Sequence, residues 1–482
     1  MTLLNKPTSR RELLTQVGLG LGGAALGGAF FPGAAGASEP LGLIDPLAPK
    51  APHFAAKVKS VIWLHMDGAP STLDLFDYKP ELIKLAGQEV PASFMKGIKE
   101  GVRGSTGKLF ATKREWKQHG DSGAWFSDLL PNLAEQSDKL AFIKSSTTIG
   151  ATHDISVLKL NTGDLSPGRP SLGAWVQYAL GAANPDLPAY VVLYNDKREP
   201  RGGSINWSSG FLPAVYQGTA FRPGDSPILH LNRPELVAEA EQGSTLDLLG
   251  RLNRAHALRR PQDSELQARI RSYDLAARME VTAPDAVSLA KETDATKTLY
   301  GFDDETSKSY GETLLRARRL VERGVRFIQV VSGPLEVEGE SRNWDGHNNL
   351  EENHRKHSRQ VDKPIAGLLA DLEARGLLDS TLVVWTSEFG RTPFGQSGNG
   401  RDHNPWGYTQ WMAGGGVKAG TTVGGTDEIG MQAVGKKVDT YDLQATVLQL
   451  MGLDHLKTTF LHNGRAERPT VVYGEVVQEL LA

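Results

Sequence analysis

The chain has 482 residues, a formal net charge of -3 and no cysteine. These facts exclude a thiol nucleophile, a zinc-thiolate or iron-sulfur site and a disulfide framework, and they offer no electrostatic reason to expect nucleic acid. The length is large for one domain, although a single α/β domain with insertions accommodates it.

The amino terminus carries Arg10-Arg11 followed by an uncharged run rich in glycine and alanine that ends near Ser38. This reads as a twin-arginine signal peptide over residues 1–37, with Ala35-Gly36-Ala37 as the cleavage motif. The alternative is a membrane anchor, against which the small residues and Pro32 argue. Removing Lys6, Arg10, Arg11 and Glu12, a net +2, leaves a mature chain of -5. The expected location is the periplasm or the extracellular space, reached through the twin-arginine export machinery, which carries folded and often metal-loaded proteins. No later apolar run is long enough for a membrane span.

Residues 38–57 read as a linker and 58–66 as the first strand. The polar stretch 79–121 predicts loops or short elements covering a site, and SDLLPNLAEQSDKLAFIKSS a helix followed by a strand. Residues 189–194 form another expected strand. A turn-rich segment then leads into the charged, helical stretch 234–282, giving an insertion at about 195–300. From Ser307, Tyr310, Leu314, Ala317 and Val321 fall on one helical face, and Gly324 marks the stop before a strand at 325–332. A helix at 350–375 contains Pro364, which is expected to kink or split it. A strand at 381–387 and a helix at 441–451 follow. The alternation predicts a doubly wound α/β fold over 58–482, a mostly parallel central sheet flanked by helices, with ligands beyond the carboxyl ends of its strands.

Several chemistry-bearing residues fall at those ends. Asp67 follows the first strand, and Asp345 with His347 lie in NWDGHNN beyond the strand at 325–332. Glu388 ends the apolar run TLVVWTS, where a buried carboxylate needs a partner. His403 follows a glycine-rich loop, with Asp402 placed to bind or orient it. Each has a plainer reading, as a helix cap, an Asx turn or a partner of Arg391. Thr152, His153 and Asp154 occupy a strand-to-helix turn, where a hydroxyl or imidazole would meet an anion. Asp67, Asp345, His347, Glu388 and His403 are therefore candidate metal ligands. Thr152, His153 and Arg391 are candidate catalytic groups, with Arg401 a second candidate anion clamp.

The order of Asp67, the THD turn, WDGHNN, TSEFGRTP and GRDHNPWG resembles the family called domain of unknown function 1501, a sulfatase-like branch of the alkaline-phosphatase superfamily. The resemblance implies a metal-dependent hydrolase of phosphate or sulfate esters, with Glu388 replacing the aspartate of the superfamily's Asp-His pair. Two departures stand out. ATHDIS replaces the C/S-x-P-x-R motif, placing His153 near the nucleophile position and removing formylglycine chemistry. Phe389 stands where the superfamily usually has a histidine, so one site would either lack a ligand or recruit His65, His153 or His354. One or two divalent ions are expected, zinc, calcium, manganese or magnesium, acting on an anionic small-molecule or polysaccharide ester. The competing reading is a non-catalytic envelope protein that binds anionic polysaccharide through the same fold.

Overall fold

The computed structural model describes residues 45–98, 107–224, 227–228, 238–260, 263–335, 343–395 and 399–482. The expected signal peptide lies outside these residues. Two compact units divide the chain at Asp45, and the second, Pro46–Ala482, holds the α/β body. Residues 46–57, read as linker, have no helix or strand but run along the body. There the Lys50 N–H donates to Leu180 O at 3.0 Å and the Lys57 N–H to Leu450 O at 2.8 Å. Among the described residues no helix is long and apolar enough to cross a membrane.

Among the described residues, nine strands form the central sheet. They are β1 (Ser60–His65), β2 (Leu140–Thr147), β3 (Tyr190–Tyr194), β4 (Thr219–Phe221), β5 (Phe327–Val331), β6 (Thr381–Thr386), β7 (Tyr408–Gly414), β8 (Thr422–Val423) and β9 (Val438–Asp439). Their order is β8-β2-β7-β6-β1-β5-β3-β4, with β9 also paired to β2. All pairs are parallel except those of β7, which runs antiparallel to β2 and β6. Sequence reading did not find β7, whose segment YTQWMAG mixes polar and apolar residues on a wholly interior strand.

The sheet is covered on both faces, as its uninterrupted apolar strands require. Along β1, Ile62 and Leu64 enter one core while Val61 and Trp63 enter the other. The first core is closed by α4 (Ser264–Val287), α5 (Glu305–Glu322) and α6 (Leu350–Ala374). The second is closed by α1 (His153–Thr162), α2 (Leu172–Leu180) and α7 (Thr440–Leu450). The remaining long helix, α3 (Glu239–Arg259), packs on α4 in the insertion. Tyr310, Leu314, Ala317 and Val321 are buried on α5, matching the 3.6-residue period of that segment. Leu314→Ala is expected to cost about 2–5 kcal/mol, because packing around the fully buried site relaxes only partly; urea denaturation measures it.

Pro364 does not split α6, which runs unbroken from Leu350 to Ala374. Val361, Ile365, Leu368, Leu369 and Leu372 on both sides of the proline are buried in the first core. That packing outweighs the cost of about 3 kcal/mol for proline in a helix interior. Beyond the carboxyl ends of β1, β2, β5 and β6 the chain leaves the sheet through four loops, and these carry the site.

Candidate metal centre

Gly68, just past β1, has φ +98°, and a Cβ there would lie 2.6 Å from the Asn343 side chain and 2.8 Å from the Asp345 nitrogen. Only glycine lets the first loop approach the Asn343–His347 loop this closely. Ala69 follows at φ +57°, a left-handed position that costs a non-glycine residue energy. Arg391 secures it. Its Nε donates to Ala69 O at 2.8 Å, and its Nη2 donates to Gly68 O and to Asp345 Oδ1, each at 2.6 Å. A short ladder pairs Arg391 with His403, so the late histidine is set by the strand end that carries Glu388.

Among the described residues, three sets of side chains bring ligand atoms within 4.8 Å of one another: His153, Asp345 and His403; His347, Asp402 and His403; and His65, Asp67 and Glu388. The first two share His403 and meet at one carboxylate oxygen. Asp345 Oδ1 lies 3.0 Å from His153 Nε2, 3.1 Å from His347 Nε2 and 3.2 Å from His403 Nε2. Burial opposes its ionisation, but the nearby imidazoles of His153, His347 and His403 and the Arg391 charge hold its pKa far below the usual carboxylate range.

The chemistry of this cluster fits a cation. His403 Nδ1 lies 2.6 Å from the Ala151 carbonyl, which can only accept, so Nδ1 carries the proton. In the neutral ring Nε2 then presents a lone pair to Asp345 Oδ1 and, at 3.0 Å, to His347 Nε2. Burial pushes the His403 pKa down, favouring that neutral ring. Two acceptors face one another at a cost that a bound cation removes. Four ligands about 2.0 Å from zinc in a tetrahedron stand about 3.3 Å apart, close to the separations found. His153 Nε2 is buried and lacks an aligned hydrogen-bond partner despite its proximity to Asp345, which also suits a ligand. The His347 side chain is 39% exposed, so this cluster has a solvent-facing side.

The second set is more deeply buried. Glu388 Oε2 lies 3.1 Å from His65 Nε2, and its Oε1 accepts from Gly68 N at 3.1 Å and contacts His153 Nδ1 at 2.6 Å. Burial opposes charge on Glu388, but His153 and His65 outweigh it and lower its pKa. Asp67 moves the other way. Burial and then the Glu388 charge raise its pKa, against the pull of His65, Asn343 and Arg201. A cation between these two carboxylates would offset their repulsion. His153 bridges the two sets; burial disfavours its charge, but Asp345 and Glu388 override this and raise its pKa.

All five residues read as ligands thus converge, together with His65 and His153. Phe389, where the resemblance implies a histidine, is fully buried with its ring centre 4.9 Å from that of His153 and 4.5 Å from that of His403. His153 supplies an imidazole beside it. His354 is turned elsewhere: its Nε2 accepts from Ser71 N at 2.7 Å, and burial lowers its pKa to about 3. Asp402 Oδ1 accepts the His403 backbone N–H at 2.8 Å. Thr152 is exposed at the start of α1, and its side chain makes no capping bond.

The arginines depart from the sequence reading. Arg391 has a fully buried side chain, and its donors go to three backbone carbonyls and Asp345, so it braces the loops instead of presenting a clamp to an anion. Arg401 donates twice to Asp74, at 2.7 and 3.1 Å, and once to Thr392 O. Both charges are spent inside the protein. Sequence reasoning did not single out Arg201, whose charge acts on Asp67 and which lies in a segment, KREPRGG, that reads only as turn.

The fold is similar to those of several solved hydrolases and a synthase, at low TM-scores. The PsFucS1 sulfatase from Pseudoalteromonas sp. is 13% identical, with 88% of this chain and 72% of that chain covered and a TM-score of 0.38. The lipoteichoic acid synthase LtaP from Listeria monocytogenes is 8% identical, with 84% and 76% covered and a TM-score of 0.38. The alkaline phosphatase from the Antarctic bacterium TAB5 is 12% identical, with 82% and 98% covered and a TM-score of 0.33. No curated protein matches the chain. Residues 58–481, which carry every ligand-type residue described above, match the family model "Protein of unknown function (DUF1501)", and the protein belongs to that family.

Proposed function

We propose that the protein is an exported, metal-dependent hydrolase of phosphate or sulfate esters that works without formylglycine. The observation that supports this best is the meeting of His153, His347 and His403 Nε2 atoms around one oxygen of Asp345, at 3.0–3.2 Å. His153, Asp345, His347 and His403 would hold one ion; His65, Asp67 and Glu388 would hold a second. Bound divalent ions would neutralise the ester oxygens and lower the pKa of the attacking water.

The chain's own residues prepare this chemistry. Ala151 O fixes the His403 tautomer, and Glu388 orients His153 through Nδ1. The exposed side of His347 opens the first set to solvent. Thr152 offers an uncommitted hydroxyl next to His153, as nucleophile or as a donor to the ester. No cysteine is present to become formylglycine.

Phe389, wedged against His153 and His403, favours a second reading, a binder of anionic polysaccharide with no turnover. Metal analysis followed by assay separates the two. Purified protein is expected to carry one or two divalent ions and to hydrolyse an aryl phosphate or an aryl sulfate. Chelation should abolish turnover, and one of zinc, manganese, calcium or magnesium should restore it. Metal-replete protein that hydrolyses neither ester would leave the binder.

A further inference from the structure

Two arginines that sequence offers as anion clamps are spent on internal partners, yet an ester hydrolase needs a group to receive the oxyanion. A cavity of about 140 Å³ lies against the second ligand set and is lined by Asp67, Tyr194, Asp196, Arg198, Glu199 and Arg201, with the turn at 331–334 closing it. It has room for several waters, and so for a four-oxygen anion. The larger cavity of about 810 Å³, between the edge strand β4 and α4, contains none of the ligand residues.

The charges in the small cavity are not equivalent. Arg198 donates from its backbone N and its Nε to Asp196 Oδ1, at 2.9 and 3.0 Å, so those two groups answer one another. Asp67 accepts from Asn343 at 2.9 Å and belongs to the ligand set, and Glu199 is exposed. Arg201 is half-buried, and among the described residues its guanidinium makes no hydrogen bond or ion pair, although its charge acts on the Asp67 carboxylate beside it. Its backbone is held in place. Asn206, itself buried, donates to Arg201 O at 2.8 Å, and Gly202 at φ +77° makes the turn, where a Cβ would come within 2.5 Å of Asn206 Nδ2.

We propose that this cavity is the oxyanion subsite and that Arg201 is its recognition residue, its planar fork taking the non-bridging oxygens of a phosphate or sulfate ester beside Asp67. The assignment rests on the hydrolase reading above. The test is calorimetric titration of the metal-loaded protein with inorganic phosphate and, separately, with sulfate, supported by KM for the matching aryl ester. Arg201→Met should weaken the preferred anion, and raise KM, by about 10–150-fold, the range for losing a hydrogen bond to a charged group. Metal content and melting temperature should not change. Arg201→Lys, which keeps the charge without the fork, should fall between. If the wild type turns over an ester and Arg201→Met matches it in anion affinity and KM, the arginine assignment is wrong and the hydrolase reading stands. If metal-loaded wild type binds neither anion and hydrolyses neither ester, both fail together.

Discussion

His403→Ala is expected to lower ester turnover by more than about 100-fold and to reduce the bound metal, with little change in fold. Groups that merely support a metal ligand typically cost about 10–100-fold when removed, so a ligand itself should exceed that range. His403 is the hinge of the first cluster. It belongs to two of the three ligand sets, and the carbonyl of Ala151 aims its Nε2 at Asp345 and His347. Glu388→Ala should be as severe for a different reason, since it contacts His65 and His153 at once and releases both imidazoles. The checks are elemental analysis, turnover of an aryl phosphate and an aryl sulfate, and circular dichroism on each variant. A double variant that keeps full metal content and full turnover would sink the metal-centre assignment.

The largest effect on stability is expected at Asp74 and Arg401. Their two-bond ion pair is buried, and Ser71 and Thr112 also donate to the Asp74 carboxylate. Removing one member of a buried pair leaves the other charge without compensation, which costs about 3–5 kcal/mol. Arg401→Met should therefore destabilise the protein by about that amount at neutral pH, read by urea denaturation. The effect has a definite pH dependence. Burial opposes charge on Asp74, but Arg401 outweighs it and holds the carboxyl below the usual range. The pair's contribution is thus fully present above the unfolded carboxylate pKa of about 3.9 and is lost as pH falls through the lower folded value. The gap between wild type and variant should close in strong acid. A variant as stable as wild type at pH 7 would show that the pair has no net effect.

Much of the body was legible because its strands are apolar on both faces. β1, β5 and β6 lie within a residue or two of where their hydrophobic runs place them, and α5 shows its period openly. β7 was not legible: Thr409 and Gln410 are buried there, and a polar residue in an interior strand carries no local sign of its place. Pro364, expected to kink or split α6, does not split it. Its local cost is real, but buried residues on either side hold the helix together.

The sequence by itself determined the strand ends that carry Asp67 and Glu388, since an apolar run followed by a charged residue puts that residue at the edge of a core; Asp345 and His347 follow β5 only after a further stretch of chain. It also determined, through the missing cysteine, that no thiol nucleophile is available. Only the tertiary structure decided the partners. His153 and Glu388 are 235 positions apart, as are Arg401 and Asp74 by 327, and no local pattern records which imidazole or guanidinium will meet which carboxylate. His354 and His153 look alike in sequence, yet one caps the backbone at Ser71 and the other joins two ligand sets. Arg391, Arg401 and Arg201 differ in the same way. A side chain's chemistry is local, but the desolvation and partners that set its charge and role come from distant segments packed around it.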